Sequence, residues 1–183
     1  MEATVLRPSE AELVSRLAAG DVEALAPLYR RYGGEVRSLL VRIEPALGHE
    51  GADDVCQEVF LTFYETIGRY EERGRLRSWL FGIAVRKARG WRRRTWLRRA
   101  LRLQHGDGAA AVALGQTDLD AQLDARRRLD RLIRQMPANW REVVVLRVIE
   151  GHSARQTAAI LGISENAVAT RLHRARRMLK GEA

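Results

Sequence analysis

Cysteine is almost missing from this sequence, since Cys56 is the only one among its 183 residues. A single thiol excludes an intrachain disulfide and a zinc site built from several cysteines. Cys56 falls at an apolar helix position, which predicts a small buried hydrophobic residue. Long apolar runs are missing too, so no segment can span a bilayer, and the opening stretch MEATVLRPSEAEL is too acidic and polar for a signal peptide. These absences predict a cytoplasmic protein without membrane insertion.

The patterns that carry catalysis are also absent. The four histidines are scattered along the chain, no nucleophile lies beside a base, and neither a paired acid site nor a metal-ligand spacing occurs. The stretch HGDG at residues 105–108 lacks the GxxxxGKS/T spacing of a phosphate-binding loop. We therefore expect no enzymatic activity and no cofactor.

Positive charge is concentrated towards the C-terminus. Residues 124–183 carry 13 basic and 6 acidic residues, a net charge of +7 out of +9 for the whole chain. A strongly basic segment suits a polyanionic partner. A membrane surface is the rival polyanion, but the basic helix of this segment carries too few large apolar residues to insert. We therefore expect nucleic acid to be the partner.

Apolar residues recur at helical spacing almost throughout, and strand signals are nearly absent, which predicts an all-α fold. The periodicity stops at residues 95–123, whose alanine- and glycine-rich composition indicates a flexible linker. The predicted organisation is therefore two small helical domains, residues 1–94 and 124–183, joined by this linker.

The stretch GHSARQTAAILGISENAVATRLHRARRMLK at residues 151–180 has the punctuation of two helices around a tight turn. Ser153 and Gln156 form the capping box of the first helix. Gly162 ends that helix, and Ser164 caps the second. One apolar face of the second helix is formed by Val168, Leu172, Ala175 and Leu179. The pattern predicts that the C-terminal domain is a helix-turn-helix, whose second helix lies in the major groove of DNA.

Arginine is concentrated on the other side of this second helix. It is the commonest specific reader of guanine, through a bidentate fork to O6 and N7. A plain solvated basic face is the alternative, but the caps, the turn glycine and the one-sided arginines occur together, which favours DNA binding. The predicted base contacts are Ser164, Asn166, Thr170, Arg171 and Arg174, and the predicted phosphate contacts are Arg155, Gln156 and Arg177.

A second basic surface is predicted on the helix at residues 78–94. From Arg73 to Arg94 there are nine basic residues and no acidic one, with aromatic residues interleaved. Basic side chains neutralise phosphates, and aromatic rings can hold an unstacked base. For Trp79 the plain alternative, a core residue, is the expected one. The predicted DNA contacts are Tyr70, Arg73, Arg75, Arg77, Arg86, Arg89 and Arg93.

The helix at residues 52–66 carries an acidic face in a basic protein. Asp54, Gln57, Glu58 and Leu61 share this face at spacings i, i+3, i+4 and i+7. A solvated face explains the pattern about as well as a functional one, so spacing alone leaves both open.

Three motifs resemble those of the extracytoplasmic-function sigma factors of bacterial RNA polymerase. They are D-x-x-Q-E-V-F at residues 54–60, S-W-L-x-x-I-A at 78–84 and V-x-x-R-L-H-R-A-R at 168–176. They occur in the family's order and spacing, and the similar stretches span most of residues 10–180 apart from the linker. The length also suits this group, whose members have two helical promoter-binding domains.

The resemblance implies a role for each predicted surface. Asp54, Gln57 and Glu58, with Leu61 beside them, match the docking site for the clamp helices of the polymerase largest subunits. Residues 70–94 match the part that opens the −10 element and holds a flipped-out base, and the helix-turn-helix matches the reader of the −35 element. The linker matches the segment that runs through the active-site and RNA-exit channels. The resemblance also implies an anti-sigma factor as a partner.

The favoured prediction is therefore a promoter-specificity subunit that binds core RNA polymerase and promoter DNA and assists promoter melting. Two alternatives stay open. A stand-alone helix-turn-helix regulator would dimerise through its N-terminal domain and bind duplex DNA without polymerase. A sigma mimic would only sequester an anti-sigma protein and should lack the basic recognition face, which is present here.

Overall fold

The computed structural model describes residues 8–70, 75–104, 128 and 130–181. All regular structure in these residues is helical, which confirms the predicted all-α class. They form two compact units: unit 1 takes in the described part of Met1–Val41 and Ala46–Lys87, and unit 2 that of Arg42–Pro45 and Ala88–Ala183. Among the described residues, no helix combines the length and the apolarity that crossing a membrane requires.

Polar side chains cap the first helix and the 3-10 turn that follows it. Ser9 starts the first one, because its Oγ accepts a hydrogen bond from the Glu12 backbone N–H at 3.2 Å. Asp21 caps a short 3-10 turn, Val22–Ala24, and the second helix begins only after that turn. The helices are α1 (Glu10–Ala18), α2 (Leu25–Ile43), α3 (Gly48–Thr66) and α4 (Leu76–Gln104).

The core of unit 1 is formed by the apolar stripes of these helices. Cys56 belongs to this core: it is buried, and its Sγ donates to the Gly33 carbonyl oxygen at 3.6 Å. Burial raises the pKa of the Cys56 thiol. The prediction that Cys56 is a small buried residue is confirmed. The largest fully buried side chains of this unit are those of Leu17, Leu28, Val36, Leu39, Leu40, Phe63, Leu76, Leu80 and Phe81.

Unit 2 contains three further helices, α5 (Ala138–Val144), α6 (Ala154–Leu161) and α7 (Glu165–Leu179), and residues 130–135 are also helical. Pro137, which lacks a backbone N–H, precedes α5, where no intrahelical donor is needed. A π-helical turn, Val145–Ile149, follows α5. The core of unit 2 is built from the buried residues Ile133, Met136, Val143, Val144, Leu146, Ile160, Leu161, Val168 and Ala175.

Helix α4 continues to Gln104, into the segment for which the sequence predicts a flexible linker. The residues concerned, 95–104, contain no glycine or proline and consist mostly of strong helix formers, so nothing in them ends the helix. The start of the linker is therefore helical. Its remaining residues, 105–123, lie outside the described residues.

Two glycines provide a matched test of backbone strain. A Cβ added at Gly162 or at Gly34 would meet no atom within 4 Å, so only the backbone conformation differs. Gly162 has a φ of +66°, where an L-residue is disfavoured by about 1–2 kcal/mol. Gly34 lies exposed inside α2, where alanine is favoured by about 1 kcal/mol. We expect Gly162→Ala to lower, and Gly34→Ala to raise, the urea midpoint of unfolding. Shifts of the same sign would contradict this account.

Candidate functional site

Two short helices joined by a tight turn form a helix-turn-helix in unit 2. The predicted capping box is present: the Ser153 Oγ accepts from the Gln156 N–H at 3.1 Å, and the Gln156 Oε1 accepts from the Ser153 N–H at 2.8 Å. Gly162 ends α6 in the left-handed conformation. The Ser164 Oγ caps α7 by accepting from the Ala167 N–H at 3.2 Å. Local sequence therefore determines where both helices begin and where α6 ends.

The apolar face predicted for α7 packs into the unit. Val168 and Ala175 are buried, and Leu172 and Leu179 are half-buried. Ala158 of α6 is also buried, and its small side chain suits the place where α6 packs against α7. Because this face of α7 is covered, the opposite face is presented to solvent.

Four polar residues lie on the outer face of α7. Asn166, Thr170, Arg174 and Arg177 are all exposed, and the helix has no acidic residue after Glu165. The Thr170 Oγ1 donates to the Asn166 carbonyl oxygen at 2.9 Å, which orients this hydroxyl along the helix. The result is a continuous cationic and polar face, the chemistry that both phosphates and base edges accept.

The other predicted contacts on the helix-turn-helix differ in how their side chains are used. Arg155 is exposed, whereas Arg171 is half-buried. Gln156 and Ser164 are exposed, but one side-chain oxygen of each is engaged in a helix cap. DNA contact by these residues stays a prediction.

In unit 1, the predicted contacts lie around the start of α4. Arg75 and Arg86 are exposed. Arg77 is half-buried, because its Nε donates to the Glu35 Oε2 at 2.5 Å and its guanidinium lies 4.5 Å from the centre of the Phe81 ring. Of these three arginines, Arg77 thus already has an anionic and an aromatic partner within the fold.

Tyr70 and Trp79 form an aromatic pair near the same place. Their rings meet edge to face with centroids 5.4 Å apart, and both residues are half-buried. Within the described residues, the Trp79 Nε1 is buried without a hydrogen-bond partner. Trp79 is therefore only partly the core residue that the sequence predicts. The predicted contact Arg73 lies outside the described residues.

Arg89 and Arg93, the predicted contacts near the middle of α4, have different surroundings. Arg93 is exposed. Arg89 is held by Glu142: its Nη2 lies 2.7 Å from Oε2, and its Nε lies 3.2 Å from both carboxylate oxygens. The Arg89 Nη1 also donates to the Leu161 carbonyl oxygen, at the end of α6, at 3.0 Å. Arg89 is therefore committed to partners inside unit 2.

Four residues that sequence reasoning missed complete this contact. Arg92 of α4 pairs with Glu44 at 3.1 Å and with Glu142 at 3.3 Å. The Arg141 Nε donates to the Ile43 carbonyl oxygen, at the end of α2, at 3.0 Å, and burial lowers the pKa of Arg141 while Glu44 opposes this shift. No local spacing predicts these contacts, because the ion pairs join residues 48 to 53 positions apart and Arg141 lies 98 positions from Ile43. We call this set the glutamate cluster: Glu44, Glu142, Arg89, Arg92 and Arg141.

The acidic face predicted on α3 is present in unit 1. Asp54, Gln57 and Leu61 are exposed, and Leu61 has 58% of its surface in solvent. Glu58 is half-buried because it pairs with Lys87 of α4 at 3.4 Å. The structure brings the four residues to one side of α3, with the charge of Glu58 partly neutralised. This ion pair is a feature that the sequence analysis missed.

Two family models match this chain. Sigma-70 region 2 matches residues 28–98, which contain the α3 face and most of α4. Sigma-70, region 4, matches residues 126–179, which contain the helix-turn-helix.

Curated proteins from several bacteria are similar over most of the chain. The ECF RNA polymerase sigma factor SigD of Mycobacterium tuberculosis is 32% identical over 178 residues, which cover 93% of this chain and 82% of that protein. The RNA polymerase sigma factor CnrH of Cupriavidus metallidurans is 30% identical over 185 residues, with 95% of each chain covered.

Solved structures show the same fold. CnrH in complex with the cytosolic domain of CnrY has a TM-score of 0.65 and 27% identity, with 92% of this chain and 93% of that chain covered. The sigma factor RpoE from Bartonella quintana, in complex with the anti-sigma factor NepR, has a TM-score of 0.68 at 21% identity, with 88% and 97% covered.

Proposed function

Because this chain belongs to the extracytoplasmic-function sigma factors of bacterial RNA polymerase, we propose that it binds core RNA polymerase, recognises −35 and −10 promoter elements and assists promoter melting. It would do so in the cytoplasm as a regulatory subunit without catalysis of its own. The proposed division of labour follows the predicted domains: residues 1–94 for polymerase and the −10 element, 95–123 as the linker, and 124–183 for the −35 element.

One observation carries this proposal: the chain exposes two polar faces of opposite character. The outer face of α7 is cationic, and the exposed face of α3 combines Asp54 and Gln57 with the apolar Leu61. A stand-alone DNA-binding regulator would use the second face only if it dimerised there, and a mimic that only sequesters an anti-sigma protein has no need of the first. A subunit that brings a polymerase to DNA needs both.

Recognition of the −35 element is assigned to α7. The N-terminal half of a recognition helix lies nearest the base edges, so Asn166 and Thr170 suit base contacts. Arg174 suits guanine or a phosphate, and Arg177, further along the same face, suits a phosphate. Arg155 at the start of α6 would hold the adjoining backbone.

Opening of the −10 element is assigned to Tyr70 and the first part of α4. An aromatic surface that captures an unstacked base stabilises melted DNA without ATP. The Tyr70–Trp79 pair supplies such a surface. Exposed Arg75, Arg86 and Arg93 would hold the phosphates of the captured strand.

An anti-sigma factor is the proposed inhibitory partner. The similar CnrH was solved with the cytosolic domain of CnrY. An inhibitor that covers the exposed apolar Leu61 would also block the surface that we assign to polymerase. Binding of such a partner and binding of core polymerase would then exclude each other.

Single-round transcription tests the proposed function. Purified bacterial core polymerase is given genomic promoter fragments with and without the intact protein. We expect new transcripts from defined start sites only when the protein is present, and their upstream sequences should reveal both promoter elements. Absence of transcripts, together with tight binding of duplex DNA by the protein alone, would instead favour the stand-alone regulator.

Leu61→Ser tests the docking face. Loss of an exposed leucine from a binding surface should weaken binding of core polymerase about tenfold, which corresponds to about 1.4 kcal/mol. Val22→Ser is the matched control, because Val22 is similarly exposed at 54%, against 58% for Leu61, and lies outside this face. Affinity is measured by fluorescence anisotropy with labelled protein and core enzyme. Equal effects of the two substitutions would remove Leu61 from the proposed interface.

Arg174→Ala tests reading of the −35 element. We expect discrimination at one base pair to fall by about 1–3 kcal/mol when promoters with single −35 substitutions compete in transcription. Arg176→Ala removes the same charge from another exposed position of α7 and should weaken all promoters alike. An Arg174→Ala protein that loses activity equally on every promoter variant would be a phosphate contact only.

A further inference from the structure

Two arginines of α4 face buried carboxylates inside unit 2. Glu142 and Glu44 have only 2% and 6% of their side chains exposed, whereas Arg89 and Arg92 keep 34% and 37% in solvent. The acids are therefore enclosed, whereas about a third of each arginine side chain reaches solvent. An anion arriving from solvent would meet the arginines first.

The contact between Arg89 and Glu142 has the geometry that a guanidinium uses for a phosphate. Nε and Nη2 of Arg89 reach both carboxylate oxygens at 2.7–3.2 Å, which is a bidentate pairing. Arginine binds carboxylates and phosphates through the same planar fork. The same donors cannot serve Glu142 and a DNA phosphate at one time.

We propose that Glu142 is an internal phosphate mimic, which withholds Arg89 and Arg92 from promoter DNA until a competing phosphate displaces it. This inference rests on the proposed function, because Arg89 and Arg92 lie within residues 1–94, the part of the chain assigned to the −10 element. Arg86 and Arg93, on the same helix, are exposed and available for a first encounter with DNA. Arg89 and Arg92 then bind DNA phosphates only after their ion pairs with Glu142 have broken.

The exchange has a cost and a compensation. Separating the pair would leave the buried carboxylate of Glu142 without a partner, which is destabilising unless α5 opens locally and lets water reach it. DNA presents many phosphates and releases counterions when arginines bind them. The internal carboxylate therefore holds the arginines in the unbound protein and yields them to a polyanion.

Glu142→Gln tests the proposal, since glutamine keeps the shape of the side chain and removes its charge. The probe is a fluorescein-labelled single-stranded DNA of about 20 nucleotides, long enough for one extended binding site. We expect the intact variant to bind this probe about tenfold more tightly than the wild type. Glu12→Gln is the matched control: it changes net charge equally at an exposed position of α1 and should gain no more than about twofold.

The increase in DNA affinity of Glu142→Gln must depend on Arg89, the arginine that this substitution releases. In a double-mutant cycle, Arg89→Ala should abolish most of the gain from Glu142→Gln. The proposal is overturned if Glu142→Gln binds no more tightly than Glu12→Gln, or if its gain persists without Arg89. Glu44→Gln, which loosens Arg92 instead, is judged by the same criterion if circular dichroism finds Glu142→Gln unfolded.

Hydrogen exchange of the wild-type chain adds a measurement that needs no variant. When saturating DNA probe removes the partners of Glu142, the amides of α5 around it should exchange faster. Unchanged exchange in α5 at saturation would sink the proposal. Transcription distinguishes failure of this inference from failure of the proposed function. If the protein supports transcription but Glu142→Gln does not bind the DNA probe more tightly, only the phosphate-mimic proposal is rejected. If Glu142→Gln binds the probe more tightly but the protein supports no transcription, only the sigma role is rejected.

Discussion

An α-helix leaves four N–H groups at its start and four carbonyl groups at its end without partners inside the helix, and the way this chain satisfies them organises its fold. Serine side chains serve the starts of α1, α6 and α7. Carbonyls at two ends are served by distant arginines, Arg141 at Ile43 and Arg89 at Leu161. The N–H groups at the starts of these three helices are thus satisfied by residues nearby in sequence. The carbonyl groups at these two ends are satisfied by residues that are distant in sequence and close in space.

This difference separates what the sequence predicts from what it does not. Ser153, Gln156 and Gly162 act within a few residues of one another, so their roles could be read from spacing and are confirmed. The apolar face of α7 is predictable for the same reason. The pairing of Arg89 with Glu142 joins residues 53 positions apart, and only the tertiary fold decides it. The start of the predicted linker differs from its prediction. Low apolar periodicity predicted a flexible segment at residues 95–104, but these residues have high helix propensity and α4 continues to Gln104.

The distribution of charge explains how a strongly basic chain can still be selective. A net charge of +9 attracts any polyanion over long range, and uniform exposure of its arginines would favour indiscriminate binding. Here Arg77, Arg89 and Arg92 are paired with glutamates, whereas the arginines of the outer face of α7 are exposed. Pairing therefore reduces the number of arginines on α4 that can contact a phosphate directly, whereas those on the outer face of α7 stay exposed.

Cys56 sets how this protein responds to oxidants. The thiolate is the form that peroxides and disulfides attack, and burial both raises the pKa of this thiol and shields its sulfur. It is the only sulfhydryl in the sequence. In the folded chain, Cys56 is consequently a poor redox sensor.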